Sequence, residues 1–133
     1  MTIEEIKEKL NRDDRFCRYN EMRIDVIRPG YAEAVMEITE NKLNGLGIAQ
    51  GGAIFTLADF ASAVAANYGL TDTTVISLHS DITFLAAAKG EKLLAEATRV
   101  RHGRTVTLYE VTVTDELGTL VARVGMNGYT VKR

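Results

Sequence analysis

Residues 44–69, NGLGIAQGGAIFTLADFASAVAANYG, decide the fold. From Gly51 the stretch is apolar on nearly every side of a 3.6-residue period, and a helix of that kind is a buried one. It starts at about Gly51 and ends near Gly69, a glycine suited to a C-terminal cap, which makes about five turns. One carboxylate, Asp59, sits halfway along it. A carboxylate in a buried helix is costly unless it is paired, hydrogen-bonded or used.

On the N-terminal side, residues 2–12 read as a short helix with Ile3, Ile6 and Leu10 on one face, a flap on the core. Met22, Ile24 and Val26 then alternate with Arg23 and Asp25. After Pro29-Gly30, Ala32, Ala34, Met36 and Ile38 alternate in the same way, so 22–38 is a β-hairpin. Residues 41–50 form a polar, glycine-containing loop. Beyond the long helix come four strand-like runs, 74–86, 91–101, 104–114 and 119–131, whose short connections favour neighbouring antiparallel strands. The expected class is α+β: an antiparallel sheet of about six strands wrapped round one long central helix, with a short N-terminal helix, all within one domain over 1–133. The helix is apolar beyond what one sheet face requires, which predicts contact with a second subunit.

Composition narrows the functional classes. The chain of 133 residues is 46% hydrophobic and 26% charged, the balance of an ordinary globular protein. The apolar run from Ala53 to Ala66 is broken by Thr56, Asp59 and Ser62, so no membrane span is expected. MTIEEIKEKL alternates acids and lysines and does not read as a secretory signal, which makes a cytoplasmic location the default. One cysteine, Cys17, and two histidines, His79 and His102, make no zinc set, and no metal or cofactor is expected. A net charge of −2 argues against nucleic acid as the partner.

Thr56, Asp59 and Ser62 recur every three residues and make a narrow polar stripe on an apolar rod. Asp59 is thus either held in a structural network or a reactive group. Gly51 and Gly52 open the helix, where first-turn amides have no partner within it and the dipole is positive. Such amides can hold a carbonyl oxygen as it becomes an oxyanion, and the same glycines can serve turn geometry alone. Gly51 and Asp59 lie roughly 12 Å apart along the axis at 1.5 Å per residue, whereas both must come within about 3 Å of one reacting group. If both act, the amide comes from one subunit and the carboxylate from its partner.

Asn44, then Gln50-Gly51-Gly52 six residues on, then Asp59 nine residues after Gln50, resembles the hotdog-fold thioesterases of the phenylacetate-degradation (PaaI-like) type. The resemblance covers nearly the whole chain. It implies a hotdog fold, assembled as a homodimer and as a dimer of dimers, and an acyl-CoA substrate. It also implies roles: Asp59 as nucleophile or general base across the subunit boundary, the Gly51 amide on the thioester oxygen, Asn44 placing the attacking group. Ser77, five residues before Ile82-Thr83-Phe84, matches the hydroxyl position of the family's next strand. Gln50 departs from the usual histidine; its amide donates a hydrogen bond and does not titrate near neutral pH.

Ser77, His79 and Asp81 share a strand and invite comparison with a hydrolase triad. Alternate residues on one strand face are about 6.6 Å apart, too far for the successive hydrogen bonds a triad needs. His79 is expected to be a hydrogen-bonded strand residue near the helix. Arg99, Arg101 and Arg104 crowd the turn at His102-Gly103. The resemblance places a phosphate contact of coenzyme A at Gly103-Arg104, with Arg101 and Lys89 behind it and Gly52 beside the thioester. Nothing in the sequence lowers the pKa of Cys17 or gives it a base, so it is expected to be inert. The reading is an acyl-CoA thioesterase releasing an acid and free coenzyme A. The alternatives are a non-catalytic acyl-CoA-binding hotdog protein and a hydratase, the latter lacking a histidine ahead of Asp59.

Overall fold

Helix α1 (Ile3–Asp13) begins with reciprocal capping: the Glu5 amide donates to Thr2 Oγ1 and the Thr2 amide to Glu5 Oε2, each at 3.1 Å. The computed structural model describes residues 2–133. Asp14 ends α1 and caps a second helix that the sequence reading had not separated, α2 (Arg15–Tyr19), by accepting from the Cys17 amide at 3.0 Å. Cys17 is the buried residue of that turn. The remaining elements are β1 (Met22–Arg28), β2 (Tyr31–Glu37), a 3-10 turn (Glu40–Lys42), α3 (Gly51–Asn67), β3 (Thr73–Phe84), β4 (Lys92–His102), β5 (Val106–Asp115) and β6 (Leu120–Lys132).

The six strands form one antiparallel sheet in the order β1-β2-β4-β5-β6-β3. Its inner face curls round α3. Four alanines, Ala32 and Ala34 of β2 and Ala95 and Ala97 of β4, are fully buried against the helix. Side chains that small let the strands approach the rod and the sheet bend over it. Leu57, also fully buried, is the helix's main anchor, and truncation to alanine there costs about 2–5 kcal/mol. The six strands wrapped on one long helix are the hotdog architecture expected from the sequence.

The expectation of neighbouring strands holds for β1-β2, β4-β5 and β5-β6 and fails for β3 and β4. β3 pairs with β6, and β4 lies between β2 and β5. Residues 85–91 make a crossover, not a turn. The amides of Leu85 and Ala86 both donate to the Val121 carbonyl on β6, and at the far end the Ile38 amide donates to the Glu91 carbonyl. Between these ties the chain runs beside the N-terminus of α3. A hairpin needs a few residues of turn chemistry; Leu85-Ala86-Ala87-Ala88 is apolar and lines a cleft at the helix end instead, with Ala88 packed against the core.

The two edges of the sheet differ. At β1 the side chain of Asn11 behaves like a strand residue: its Oδ1 accepts from the Ile24 amide at 2.6 Å and its Nδ2 donates to the Ile24 carbonyl at 3.2 Å. Lys7 Nζ donates to the Asp25 carbonyl at 2.9 Å, and a bulge between Ile24 and Val26 twists the edge further. At β3 the outer edge pairs with nothing among the described residues, and Ile76, Leu78 and Phe84 are each more than half exposed. One stripe of α3 is uncovered as well: Gly52 and Ala63 are exposed and Thr56 and Asp59 half-buried. Among the described residues no helix is long and apolar enough to cross a membrane.

Candidate active site

Asn67, the last residue of α3, fixes the helix to β3. Its Nδ2 donates to the carbonyls of Ala63 and Val75, and its Oδ1 accepts from the Val75 amide at 2.7 Å and from Thr74 Oγ1 at 3.0 Å. That junction sets the strand alongside the helix, and two residues further on Ser77 Oγ donates to Asp59 Oδ1 at 3.1 Å. Asp59 is half-buried within one protomer, not enclosed as its apolar surroundings in sequence suggested. The pair opens on a cavity of about 200 Å³ walled by Ser62, Ala63, Val75, Thr107 and Tyr109. Tyr109 is buried and its hydroxyl leans on the Ala65 carbonyl at 3.4 Å. Thr107 and Tyr109 were not singled out by the sequence reading. Their signal was polar side chains on the inward phase of a strand that also carries Val111 and Val113.

A second cleft, of about 330 Å³, lies at the other end of α3 between Asn44, Gly51, Ile54 and the crossover residues Phe84 to Ala88. The N–H groups of Gly51 and Gly52 meet no acceptor among the described residues, while the Gln50 carbonyl takes the amides of Ala53 and Ile54. Glycine at 51 leaves room for the Phe84 ring: a Cβ there would stand 3.0 Å from its Cζ, and the half-exposed ring would have to shift. Gln50 is the N-cap without capping through its side chain, which is exposed and free to reach a ligand. Asn44 Oδ1 accepts from the amides of Leu46 and Ile48 at 2.9 and 3.3 Å, leaving its Nδ2 as the group that can donate outward.

Of the residues singled out in the sequence, the structure brings Asp59 to Ser77, and Asn44 and Gln50 to Gly51 and Gly52. It does not join the two groups, whose clefts share no lining residue within a protomer. Thr56 leaves the expected polar stripe, since its hydroxyl donates to the Gly52 carbonyl one turn back at 2.8 Å. His79 is corrected. A bulge between Ser77 and His79 shifts the register, so that Ser77 pairs with buried Gly128 while His79 pairs with Asn127 and Asp81 with Gly125. Cross-strand partners share a face, which puts Ser77 inside and His79 and Asp81 outside; His79 is exposed and away from the helix. A Ser77-His79-Asp81 triad is excluded by that flip.

Arg101 and Arg104 are exposed at the β4-β5 turn, on the way to Thr107 and Tyr109. Lys89 lies beyond the opposite end of β4, roughly 30 Å off at 3.3 Å per residue, so one protomer cannot set all three on one phosphate. There the amides of Lys89 and Gly90 donate to Asp115 Oδ2 at 2.8 and 3.0 Å, and those of Leu117 and Thr119 to Asp115 Oδ1. Burial works to raise the Asp115 pKa, but the donated amides outweigh it and hold the carboxyl well below its ordinary range. The thiol of Cys17 is pushed up to about 12 by burial, with Asp14 and Asp59 adding in the same direction, which leaves it protonated and unreactive. Among the described residues no group of acids, histidines and cysteine could hold a metal.

Residues 46–122 match the sequence profile of the thioesterase superfamily. A curated protein of Archaeoglobus fulgidus that carries an esterase name is 33% identical over 122 residues, spanning 90% of this chain and 77% of that protein. A Streptococcus mutans protein crystallised with acetyl-CoA superposes with a TM-score of 0.77 at 29% identity, over 84% of this chain and 90% of its own. A mutant form of the phenylacetic acid degradation protein PaaI of Thermus thermophilus gives 0.79 at 27% identity, over 87% and 98%.

Proposed function

Because the chain belongs to the thioesterase superfamily and is, with that family, a thioester hydrolase, we propose that it hydrolyses an acyl-CoA at a site shared by two copies of itself. The observation that carries this is the separation of two half-sites on one helix. Unpaired amides and Asn44 lie at one end of α3, and a carboxylate with its hydroxyl partner lies about 12 Å further along. Each is open, and each lacks what the other has.

The uncovered surfaces support the pairing. A long strand with an unpaired, apolar edge invites a second strand, and β3 is such a strand. The stripe of Gly52, Thr56, Asp59 and Ala63 presents small side chains that allow another helix to approach closely. Two copies of α3 running antiparallel about a twofold axis beside Phe55, midway between Gly51 and Asp59 in sequence, set Gly51 of each next to Asp59 of the partner subunit. A further pairing of such dimers gives the tetramer that the family resemblance implies.

In the shared site the acyl carbonyl oxygen accepts from the Gly51 amide, with Gly52, Gln50 and Asn44 supplying further donors. Asp59, held by Ser77, takes the proton of a water that attacks the carbonyl carbon, or attacks that carbon itself. The negative charge that builds on oxygen is met by the positive end of α3. Collapse of the intermediate breaks the C–S bond, and the coenzyme A thiolate leaves and takes the proton that water gave up; where Asp59 itself attacks, water then cleaves the acyl–Asp59 anhydride, which releases the acid, supplies that proton and restores the carboxylate. Arg104 stands in the β4-β5 turn three residues before Thr107 of the Asp59 cleft, where it can meet the phosphates of coenzyme A; Arg101 pairs with Leu108 on the outer face and Lys89 lies at the far end of β4, so either meets those phosphates only from another copy. The acyl group, aryl or medium aliphatic, enters between the two helices.

The test is release of free thiol from a panel of aryl-acyl-CoA and aliphatic acyl-CoA esters. Turnover by the wild type with loss of at least ~10²-fold in Asp59→Ala is expected. Binding without thiol release would instead make the protein an acyl-CoA sensor, and a changed acyl chain on an intact thioester would make it a hydratase.

A further inference from the structure

Lys42 is the most deeply buried charge among the described residues, with its side chain 1% exposed. It stands in the loop between β2 and α3, two residues before Asn44. Its Nζ donates to Glu21 Oε1 at 2.7 Å and to Thr39 Oγ1 at 3.0 Å. Its carbonyl accepts from the Gln50 amide at 2.7 Å. Next to that bond Leu43 and Ala49 form an isolated antiparallel bridge, so residues 42–50 are a small closed loop with Lys42 at its root and the start of α3 at its exit.

Glu21 is unusual in its own right. It joins α2 to β1 with φ +59°, and it is the residue other than glycine with positive φ among the described residues. That conformation favours glycine or asparagine, and a larger residue held in it points to a constraint imposed from elsewhere. The carboxylate, 58% exposed, spans the gap to Lys42. A buried ion pair is poor evidence of stabilisation, because removing charges from water offsets most of their attraction; its better-attested use is to select one arrangement among several.

We propose that Glu21 and Lys42 form a positioning clamp for the amide end of the thioesterase site, an inference that rests on the function proposed above. The contact fixes the root of the 42–50 loop against the α2-β1 junction. The Lys42 carbonyl then fixes the Gln50 amide, and with it the direction in which the Gly51 and Gly52 N–H groups point. Neither residue of the pair touches substrate. An oxyanion donor acts only when its position is held before the charge develops, so a shift well under 1 Å at this root is felt in kcat ahead of KM.

The variants are Lys42→Met, which keeps the buried methylenes, removes the charge and leaves Glu21 in water, and Glu21→Gln, which changes the exposed partner and keeps a neutral acceptor. The clamp predicts about a tenfold loss of kcat in Lys42→Met and a smaller loss in Glu21→Gln, with KM within twofold and the melting temperature within a few degrees of the wild type. It also predicts at least tenfold faster hydrogen exchange at the Gln50 amide in both. Unchanged kcat, or a loss that only follows the fraction unfolded, overturns it. If the wild type releases no thiol, the thioesterase reading falls on its own, and exchange at Gln50 still decides whether the clamp exists: wild-type protection in both variants rejects it.

Discussion

The two clefts along α3 are made of opposite materials. The one at its N-terminus offers backbone N–H groups, the side-chain amide of Asn44 with that of Gln50 beside it, and an apolar crossover wall from Leu85 to Ala88. The one at mid-helix offers a carboxylate and a hydroxyl on a cavity wall carrying Thr107 and Tyr109. The first suits a developing oxyanion and the second suits a proton or a nucleophile. That division explains why a helix of 17 residues can serve as both halves of a site, provided that two copies face each other.

The sharpest way to break the comparison is to disable each half in a separate chain. Gly51→Pro removes the amide at the first helical position, where the fixed φ of proline suits the helix; Gln50 already has the extended ψ of 135° that a following proline requires, and the half-exposed Phe84 ring, whose tip lies 3.0 Å from the added Cβ, has to swing aside. Each of Gly51→Pro and Asp59→Ala should lose ~10²–10³-fold in kcat as a homodimer. Mixed, unfolded and refolded together in equal amounts, they should regain about one quarter of wild-type activity, since half of the dimers are mixed and each of these holds one intact site. No recovery would place both halves in one chain.

A smaller effect is expected at the shared edge. Leu78→Lys puts a charge on the open flank of β3; sedimentation should show protomers where the wild type shows dimers or pairs of dimers, and kcat/KM should fall by roughly tenfold or more at low protein concentration and recover in part on raising it. Ser77→Ala tests the carboxylate half alone. It removes the 3.1 Å bond to Asp59 and should lower kcat by roughly tenfold, equal to about 1.4 kcal/mol of barrier, with KM little changed.

Least effect on the chemistry is expected from Asp115→Asn, which lies with the amide half because Asp115 holds the crossover at Lys89 and Gly90. The folded-state pKa of Asp115 lies below its ordinary value of 3.8. Its ionised form therefore stabilises the fold fully above that value, and the contribution is lost as the pH falls through and below it. Thermal scans should show the variant melting roughly 5 °C lower at pH 7, with the gap starting to close only as the pH drops below 3.8 and kcat at 25 °C nearly unchanged.

Much of this molecule could be read from the chain. The rod at 51–67, the hairpins and the strand bounds follow from apolar period and from glycines at the turns, because those signals are local. The place of β3 did not follow. Sequence neighbours pair only when the link is a turn, and Leu85 to Ala88 carries apolar packing where turn chemistry would be. The run Val75, Ile76, Leu78, Ile82 and Phe84 did hold a clue, as apolar residues on both phases of a strand ask for cover on more than one side. Within the candidate site, Asp59, Gly51, Gln50 and Asn44 were marked by their spacing. The bulge that turns His79 outward adds a residue without altering composition, and α2 at five residues is too short for a period. Lys42 gave no sign at all, being a lysine in a polar loop like any surface lysine.

The asparagine that stands in for a strand at Ile24 has a consequence for how large an assembly can become. A sheet open on both flanks can add copies without end and grow into a ribbon. Here one flank is stoppered by the chain's own first helix, so edge-to-edge growth terminates once two open flanks have met. In the proposed dimer the short N-terminal segment thereby acts as a counter that keeps the assembly finite, and its removal is the change most apt to turn a closed pair into a filament.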